Sequence, residues 1–197
     1  EGITVTVEPG TQIQFWGSDP EDPYGDQTMA YIQVEGAFLV NGTEEEPVEM
    51  FPSTAFQNYG VDIRGGVLED YAANPESTTT GKTVLRYANI INPILGINEG
   101  DHLTLVQNTN VVTYRVVSNA TIIEQHSDSL IVQRLTNSIV RNMNCDSNNR
   151  LFFAGNAENV LFDSCSITVR NDSSLISPRP TFTQCVFAGN RAEWDNA

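Results

Sequence analysis

Four carboxylate side chains lie within one eight-residue segment that also holds prolines and glycine; they belong to Asp19, Glu21, Asp22 and Asp26. Calcium in proteins takes six to eight oxygen ligands, mainly carboxylates and carbonyls, so this segment has suitable chemistry. The spacing of the four residues is not that of an EF-hand loop. Two interpretations therefore stand: a calcium site, with calcium as the chain's one cofactor, and a solvated acidic loop with no cofactor.

A second candidate site is built on Arg141 and Asp163. Each follows the leading apolar residue of a short strand-like phrase that recurs along the chain, and Arg86, Gln107 and Thr183 occupy the same place in other copies. If the copies stack, these five side chains form a polar stripe along the outside. Such a stripe is suited to binding a glycan chain, and the alternative is a row of solvated side chains.

Both histidines adjoin carboxylates: His102 follows Asp101, and His126 lies between Glu124 and Asp128. A histidine next to a carboxylate can serve as a general base or a metal ligand. Neither histidine has a nucleophile placed beside it by the sequence, and a polar surface residue at a turn is the alternative. No catalytic residue is predicted.

Three asparagines begin the tripeptide Asn-X-Ser/Thr that accepts N-linked glycans, namely Asn41, Asn119 and Asn171. Modification at these positions requires a source that glycosylates its secreted proteins. A chain this rich in asparagine also contains such tripeptides by chance, so the three are candidate glycosylation sites only.

The three cysteines, Cys145, Cys165 and Cys185, are evenly spaced along the last third of the chain. A disulfide scaffold normally has an even and denser set, and the spacing of a zinc site is absent. We interpret the three as small apolar core residues stacked in successive coils. Neighbouring strands about 4.8 Å apart would also permit one disulfide, leaving the third thiol free.

The elements that must position these residues are short strands. The recurring phrase is an apolar residue, two residues, a small or sulfur-containing residue, one residue and an apolar residue; it begins at Leu85, Val106, Val140, Phe162 and Phe182. A period of about 20 with one short strand per repeat is typical of a solenoid. The longer gap between the second and third copies predicts a further turn around Ile122 and Ile123.

The rest of the sequence also favours an all-β domain. Apolar alternation is short, Val, Ile, Thr and Phe are frequent, and Gly, Asn, Asp and Pro punctuate the segments, while no long stretch shows helical spacing. Asparagine tolerates a left-handed backbone and can bond to an asparagine one coil away, so many of the 19 asparagines are predicted to be structural. We predict one domain over residues 1–197, with projecting loops at about 16–28, 68–81 and 170–180.

The net charge of the chain disfavours a nucleic-acid partner. The chain carries 25 acidic against 10 Lys and Arg residues, a net charge of −15. Residues 1–100 hold 16 acidic and 3 basic residues, and the remainder hold 9 and 7, so the acidity is concentrated in the first half. A nucleic-acid partner is disfavoured because phosphate binding needs a basic face. No apolar run approaches the roughly 20 residues that span a bilayer.

The segments VTVEPGTQIQF (residues 5–15), IQVEGAFLVNGT (32–43) and PVEMF (47–51) resemble the opening coils of right-handed parallel β-helix proteins, of the pectate-lyase-like kind found in secreted and cell-surface proteins. The resemblance implies a solenoid of roughly nine coils, each of about 20–22 residues, around one elongated core. Polygalacturonase-like members carry Asn-Thr-Asp, Asp-Asp, Gly-His-Gly and Arg-Ile-Lys motifs, and none occurs here. Lyase-like members use calcium-binding Asp clusters and a basic residue, but the single lysine, Lys82, has no carboxylate cluster beside it.

We therefore expect a non-catalytic extracellular module, structural or adhesive, at a cell surface or in a fibre. A solenoid without capping helices exposes apolar ends, so the expected partners are further copies stacked end to end, or flanking domains of a longer chain, with a glycan as a further candidate ligand. The alternative is a polysaccharide lyase or glycoside hydrolase, which would act in a lateral groove near Arg141 and Asp163.

Overall fold

The fold is described from a computed structural model over residues 3–16, 30–53, 60–65, 82–107, 110–124, 128–142, 151–170, 180–189 and 191–195. These residues form eighteen strands and no helix. The strands are Thr4–Val7 (β1), Gln12–Phe15 (β2), Tyr31–Val34 (β3), Ala37–Asn41 (β4), Val48–Pro52 (β5), Val61–Gly65 (β6), Lys82–Ile91 (β7), Pro93–Val106 (β8), Asn110–Ser118 (β9), Thr121–Glu124 (β10), Asp128–Thr136 (β11), Ile139–Asn142 (β12), Leu151–Glu158 (β13), Leu161–Asp163 (β14), Ser166–Arg170 (β15), Thr181–Thr183 (β16), Val186–Ala188 (β17) and Arg191–Asp195 (β18).

Within the described ranges, every strand pairing is parallel, and the strands form one curled sheet. The pairings fall into three stacks. Stack A runs from β1 through β4, β7, β8, β9, β11 and β13 to β16. Stack B runs from β2 through β5, β7, β8, β10, β12 and β14 to β17. Stack C runs from β3 through β6, β8, β9, β11, β13 and β15 to β18.

The chain visits the stacks in the order A, B, C and then returns to A, and we call one such pass a rung. The described residues contribute eight rungs. The longest strands turn from one stack into the next, which is how β8 supplies segments to all three. The prediction of an all-β chain of parallel strands is confirmed, and the arrangement is consistent with a parallel solenoid.

Apolar side chains at matched registers fill the space between the stacks. In stack B the inward residues of successive rungs are Cα partners: Ile13, Met50, Ile90, Leu105, Ile122, Val140, Phe162 and Phe187. Met50, Leu105, Ile122, Val140 and Phe162 are fully buried. Because a parallel sheet must be covered on its apolar face, each rung buries its inner side chains against the rungs above and below and against the other two stacks.

Four phenylalanines fill the interior of the C-terminal rungs. The Phe162 ring packs edge-on against Phe153, with ring centroids 5.8 Å apart, and stacks on Phe187 at 5.0 Å. Phe182 contacts Phe153, Phe162 and Phe187 at 5.4, 5.9 and 5.5 Å. Such aromatic pairs add about 0.5–1.5 kcal/mol each beyond the area they bury.

Single residues in the left-handed conformation make the corner between stacks A and B. The six non-glycine residues at this corner have φ angles between 47° and 53°, and they are Tyr87, His102, Asn119, Asn137, Asn159 and Gln184. The backbone N–H groups of Asn119, Asn137 and Asn159 donate to the backbone carbonyls of Thr136, Glu158 and Thr183 in the next rung, at 3.0, 3.1 and 2.9 Å. The backbone therefore stays hydrogen-bonded from rung to rung while the chain turns.

The corner between stacks B and C repeats this device. Asn92, Gln107 and Ser164 have φ angles of 55°, 69° and 55°, and Gly189 has 65°. The Asn92, Gln107 and Ser164 amides donate to carbonyls of the following rung at 2.7, 2.9 and 2.7 Å. At the third corner, between stacks C and A, Gly155 has a φ of 131°, and a Cβ there would overlap the Val132 carbonyl oxygen. Only glycine fits that position.

The predicted asparagine ladder is present between Asn137 and Asn159, since the Asn159 amide nitrogen donates to Asn137 Oδ1 at 2.9 Å. Asn89 also joins two rungs, but it lies inside β7 and its amide nitrogen donates to Glu49 at 2.8 Å.

The predicted turn around Ile122 and Ile123 is confirmed, because Ile122 pairs with Leu105 on one side and Val140 on the other. The recurring phrase itself is not the structural repeat. Val140 and Phe162 lie in stack B, whereas Phe182 lies in stack A, paired with Ala157. The reason is that rungs differ in length. The sequence separation between stack B partners grows at every step of the series Ile90, Leu105, Ile122, Val140, Phe162 and Phe187.

The same variation corrects the cysteine prediction. Cys165 is buried in the core and Cys185 packs against it in part, as expected of small apolar residues. They do not stack on one another, however, because Cys165 follows β14 in stack B and Cys185 follows β16 in stack A. Among the described residues, Cys165 and Cys185 form no disulfide. Cys145 lies outside the described residues.

The three predicted loops, apart from residues 16, 170 and 180, also lie outside the described residues. In the part of the chain that is described, no helix is long and apolar enough to cross a membrane.

Replacing Phe162 with Asp tests the core. Phe162 is fully buried within the aromatic cluster, so the variant loses that packing and places a carboxylate in an apolar stack. We expect a loss of stability of more than about 4 kcal/mol, with unfolding of the C-terminal rungs. Thermal unfolding followed by circular dichroism measures this. Thr183→Asp, at an exposed position, is the control, and equal melting of the two variants would show that Phe162 is not inside.

Replacing Asn159 tests the left-handed corner. Asn159→Ala loses the bond to Asn137 and leaves an ordinary side chain at a φ of 53°, so we expect a cost of about 1–2 kcal/mol in the free energy of unfolding. Asn159→Gly loses the same bond but relieves the backbone, and we expect a smaller loss. Urea unfolding compares the variants. A glycine variant less stable than the alanine variant would contradict the assigned backbone role.

Candidate functional site

A column of polar residues runs along the outside of stack A. Its members are Cα partners from rung to rung: Asn41, Arg86, Asp101, Ser118, Thr136, Glu158 and Thr183. They project outward because the residue before each, such as Leu85, Val117 or Leu135, points into the core. We call this set the polar column. All seven members have side chains that can donate or accept hydrogen bonds, and they are in register over seven rungs.

Asp101 is the centre of the most connected cluster on the polar column. Ser118 Oγ and Asn119 Nδ2, both from the next rung, donate to Asp101 Oδ1 at 2.7 and 2.8 Å. His102 Nδ1 lies 3.0 Å from the other carboxylate oxygen, Oδ2. Both oxygens of Asp101 are therefore engaged, and the carboxylate links two rungs.

These contacts determine the charge of Asp101. Partial burial acts to raise the pKa of this carboxyl group, but hydrogen bonds from Ser118, Asn119 and His102 together bring the pKa below its ordinary value. Asp101 is consequently ionised at neutral pH. It can accept hydrogen bonds and orient His102, but it cannot serve there as a general acid.

The serine, histidine and aspartate of this cluster are not arranged as a nucleophilic triad. In such a triad the hydroxyl nucleophile bonds to the imidazole, and the carboxylate lies on the far side of the imidazole. Here Ser118 bonds to the carboxylate, which stands between Ser118 and His102. The geometry is that of a structural link between rungs.

An aromatic stack lies beside this cluster. The rings of Tyr87 and His102 are nearly parallel, at 14°, with centroids 4.3 Å apart. Both residues sit in the left-handed corner, with φ angles of 47° and 52°, where the next three rungs have asparagine. A left-handed conformation is an outlier for a bulky side chain and costs of order 1–3 kcal/mol. The stacking contact offsets part of that cost.

The predicted pair Arg141 and Asp163 is brought together. They are Cα partners on β12 and β14, and Arg141 Nε donates to Asp163 Oδ2 at 3.0 Å. Ser164 Oγ donates to the other oxygen of Asp163, also at 3.0 Å. Both charged side chains are partly exposed on the outside of stack B.

The predicted stripe that contained this pair is wrong in its other members. Arg86 and Thr183 belong to the polar column on stack A, and Gln107 makes the corner between stacks B and C. Unequal rung lengths separate residues that occupy the same place in the sequence phrase.

Two further ion pairs occur on the described outer surfaces. On stack C, Arg64 forms a bidentate pair with the buried carboxylate of Asp62, with the shortest contact at 2.7 Å, and its guanidinium lies 4.3 Å from the centre of the Tyr31 ring. The hydrogen bond to Asp62, followed by its charge, raises the pKa of Arg64. On stack A, Arg134 pairs with Glu158 of the next rung.

The remaining predicted site residues divide into two groups. The proposed calcium ligands Asp19, Glu21, Asp22 and Asp26, together with His126 and Asn171, lie outside the described residues. Of the other two candidate glycosylation sites, Asn41 is half-buried at the end of β4, and the exposed Asn119 uses its amide nitrogen to bond Asp101. In the described ranges, no three His, Cys, Asp or Glu side chains group closely enough to hold a metal ion.

Sequence reasoning singled out Asp101 and His102 but missed their partners. Ser118 and Asn119 lie one rung further along the chain, on or just after a strand that pairs in parallel with the strand of Asp101. The only signal in the sequence was the recurrence of short apolar segments at this spacing. An assumed rung length shorter than the average repeat of about 20 residues, applied to this part of the chain, would have predicted that Ser118 lies beside Asp101.

The chain matches no protein family model, no curated protein and no solved structure. The likeness to pectate-lyase-like β-helix proteins therefore stays an expectation from the residues.

The pH dependence of stability tests the Asp101 cluster. Because its pKa is lowered in the folded chain, Asp101 contributes stability that is present above the ordinary carboxyl pKa and is lost as the pH falls through the folded value. We expect Asp101→Asn to destabilise the chain at pH 7 by about 1 kcal/mol and to matter less near pH 3. Urea unfolding at the two pH values measures this. Glu45→Gln, in an exposed turn, is the control, and a penalty at pH 3 as large as that at pH 7 would contradict the assignment.

Proposed function

We propose that this chain is a non-catalytic structural or adhesive module of a secreted or cell-surface protein, with the fold of a right-handed parallel β-helix. The stacking of three parallel columns of strands supports a parallel solenoid, and the handedness and the family likeness are expectations from the sequence. The module presents side chains in register on long lateral faces, which suits attachment to an extended surface more than the binding of a small substrate.

One observation carries the non-catalytic part of the proposal. Five carboxylates on the described strands are held by donors: Glu49 by Asn89, Asp62 by Arg64, Asp101 by Ser118 and Asn119, Glu158 by Arg134, and Asp163 by Arg141 and Ser164. Four of these five join one rung to the next. Acid–base catalysis by paired carboxylates requires one whose pKa is raised, and the pKa of Asp101 is shifted in the opposite direction.

The terminal described rungs bear on how the module assembles. Val5 in β1 is 50% exposed, and Phe187 in β17 is 46% exposed, although the equivalent positions of internal rungs are buried. A further apolar layer would cover these side chains. We propose that a second copy stacked end to end, or a flanking part of a longer chain, provides it.

The alternative is a polysaccharide lyase or hydrolase. The observation that favours it is the exposed Arg141–Asp163 pair on a lateral face. Arginine stays protonated in proteins, so Arg141 would bind an anionic sugar and would not act as a base.

Two measurements test the proposal. We expect no release of reducing ends or unsaturated products from a polysaccharide panel, with or without calcium, because the five carboxylates named above form structural hydrogen bonds. Product release that Arg141→Ala abolishes, while Arg134→Ala leaves it unchanged, would establish the alternative. Negative-stain electron microscopy over a concentration series then separates the two modes of assembly. Filaments with an axial repeat of about 40 Å, the height of eight rungs, indicate end-to-end stacking, and dispersed particles indicate flanking domains.

A further inference from the structure

The outside of stack B carries many aliphatic side chains. From β7 to β17 its outward positions form two adjacent columns: Asn89, Thr104, Thr121, Ile139, Leu161 and Val186, and beside them Ile91, Val106, Ile123, Arg141, Asp163 and Ala188. We call these twelve positions the aliphatic face. Six of them are Ile, Val or Leu, which is unusual for the outward side of a strand.

Solvent reaches this face. Ile91, Ile139 and Val186 are 41%, 37% and 57% exposed, and they are three of the nine large hydrophobic residues that are exposed in the described part of the chain. Leu161 and Ile123, on the same face, are half-buried. A contiguous exposed apolar patch on a regular sheet is typical of an interaction surface.

The aliphatic face is also electrically neutral on an acidic molecule. The chain carries a net charge of −15, and the twelve positions hold one positive and one negative side chain, Arg141 and Asp163. Two copies that approach through carboxylate-bearing surfaces repel each other. Approach through this face avoids that repulsion, so electrostatics favour it as a contact between copies.

We propose that the part of the aliphatic face on β10, β12, β14 and β17 is a two-fold contact between two copies of this chain, packed face to face with their long axes antiparallel. The position of the charged pair fixes the register. Arg141 and Asp163 lie in one outward column on adjacent rungs, so a two-fold axis between β12 and β14 places Arg141 of each copy opposite Asp163 of the other. The same operation places Ile139 opposite Leu161 and Ile123 opposite Ala188, so apolar side chains meet at these positions, while Thr121 faces Val186.

The charges are suited to this exchange. Arg141 uses Nε toward Asp163 of its own chain, and a guanidinium has further N–H donors in the same plane. Its side chain is 48% exposed. A ring of two arginines and two aspartates would then close across the axis, which is the self-complementarity that a two-fold interface requires.

The contact is small. With the axis between the sixth and seventh rungs, four rungs overlap, roughly 20 Å by 12 Å, or about 500 Å² in total over both copies. Stable interfaces bury about 1,200–2,000 Å², so we expect a weak dimer with a dissociation constant on the order of hundreds of micromolar. Such a contact gains strength where many copies are held close together, as on a cell surface or along a fibre.

The inference does not depend on the proposed function, and sedimentation velocity on the whole chain, from about 10 μM to 1 mM, tests it. The weight-average sedimentation coefficient of the wild-type chain should rise with concentration and fit a monomer–dimer equilibrium without larger species. Arg141→Asp and Asp163→Arg should each weaken self-association at least tenfold, because like charges then face each other. An equimolar mixture of the two variants should restore association, since one copy presents two aspartates and the other two arginines.

Arg134→Asp is the matched control, because it changes the net charge as Arg141→Asp does but lies on stack A. Equal weakening by the two variants, no association up to 1 mM, or a mixture that fails to associate would each overturn the proposal. Continued growth beyond a dimer that Arg141→Asp leaves unchanged would overturn the face contact while supporting end-to-end stacking. Circular dichroism verifies that each variant is folded.

Discussion

The fold requires the chain to turn from one stack to the next within a single residue. The backbone hydrogen bonds between neighbouring rungs must continue through that turn. At the corner between stacks A and B, that residue is left-handed in every rung from Tyr87 to Gln184. A left-handed non-glycine residue costs about 1–2 kcal/mol, and the amide bonds to the next rung, together with the buried side chains on either side, offset the cost. Asparagine recurs at this corner because its short amide tolerates the conformation and can bond to the next asparagine.

The same register that stacks apolar side chains inside also stacks polar side chains outside. Leu85, Val117 and Leu135 point inward, and the residue after each points outward into the polar column. A donor such as Ser118 therefore meets a carboxylate such as Asp101 one rung away, and no further backbone conformational entropy is lost in forming the contact. Outer polar contacts in this molecule thus secure the order of the rungs, which is why their presence is not by itself a sign of catalysis.

The sequence was sufficient for the strand content, the parallel stacking and the extra turn at Ile122, because apolar residues recur there at short range. It was insufficient for the register. A fixed period placed Phe162 and Phe182 in one column, whereas rungs of unequal length put them in stacks B and A. Cys165 and Cys185 were misplaced for the same reason. Asp101 was recognised beside His102, but Ser118 and Asn119 become its partners only through strand pairing, which local sequence does not specify.

The contrast between the outer faces bears most on function. Stack A carries hydrogen-bonding side chains, and its two bulkiest corner residues, Tyr87 and His102, stack on each other in a strained conformation. On stack B, from β7 to β17, six of the twelve outward positions are Ile, Val or Leu, and the two charged side chains form one neutralised ion pair. A solenoid whose only task was to hold itself together would gain nothing from an exposed aliphatic face, because those side chains lie outside the core. The difference between the faces is explained when stack B makes the proposed contact with another apolar surface and stack A stays in water. The two sides of the molecule then differ in polarity around its long axis.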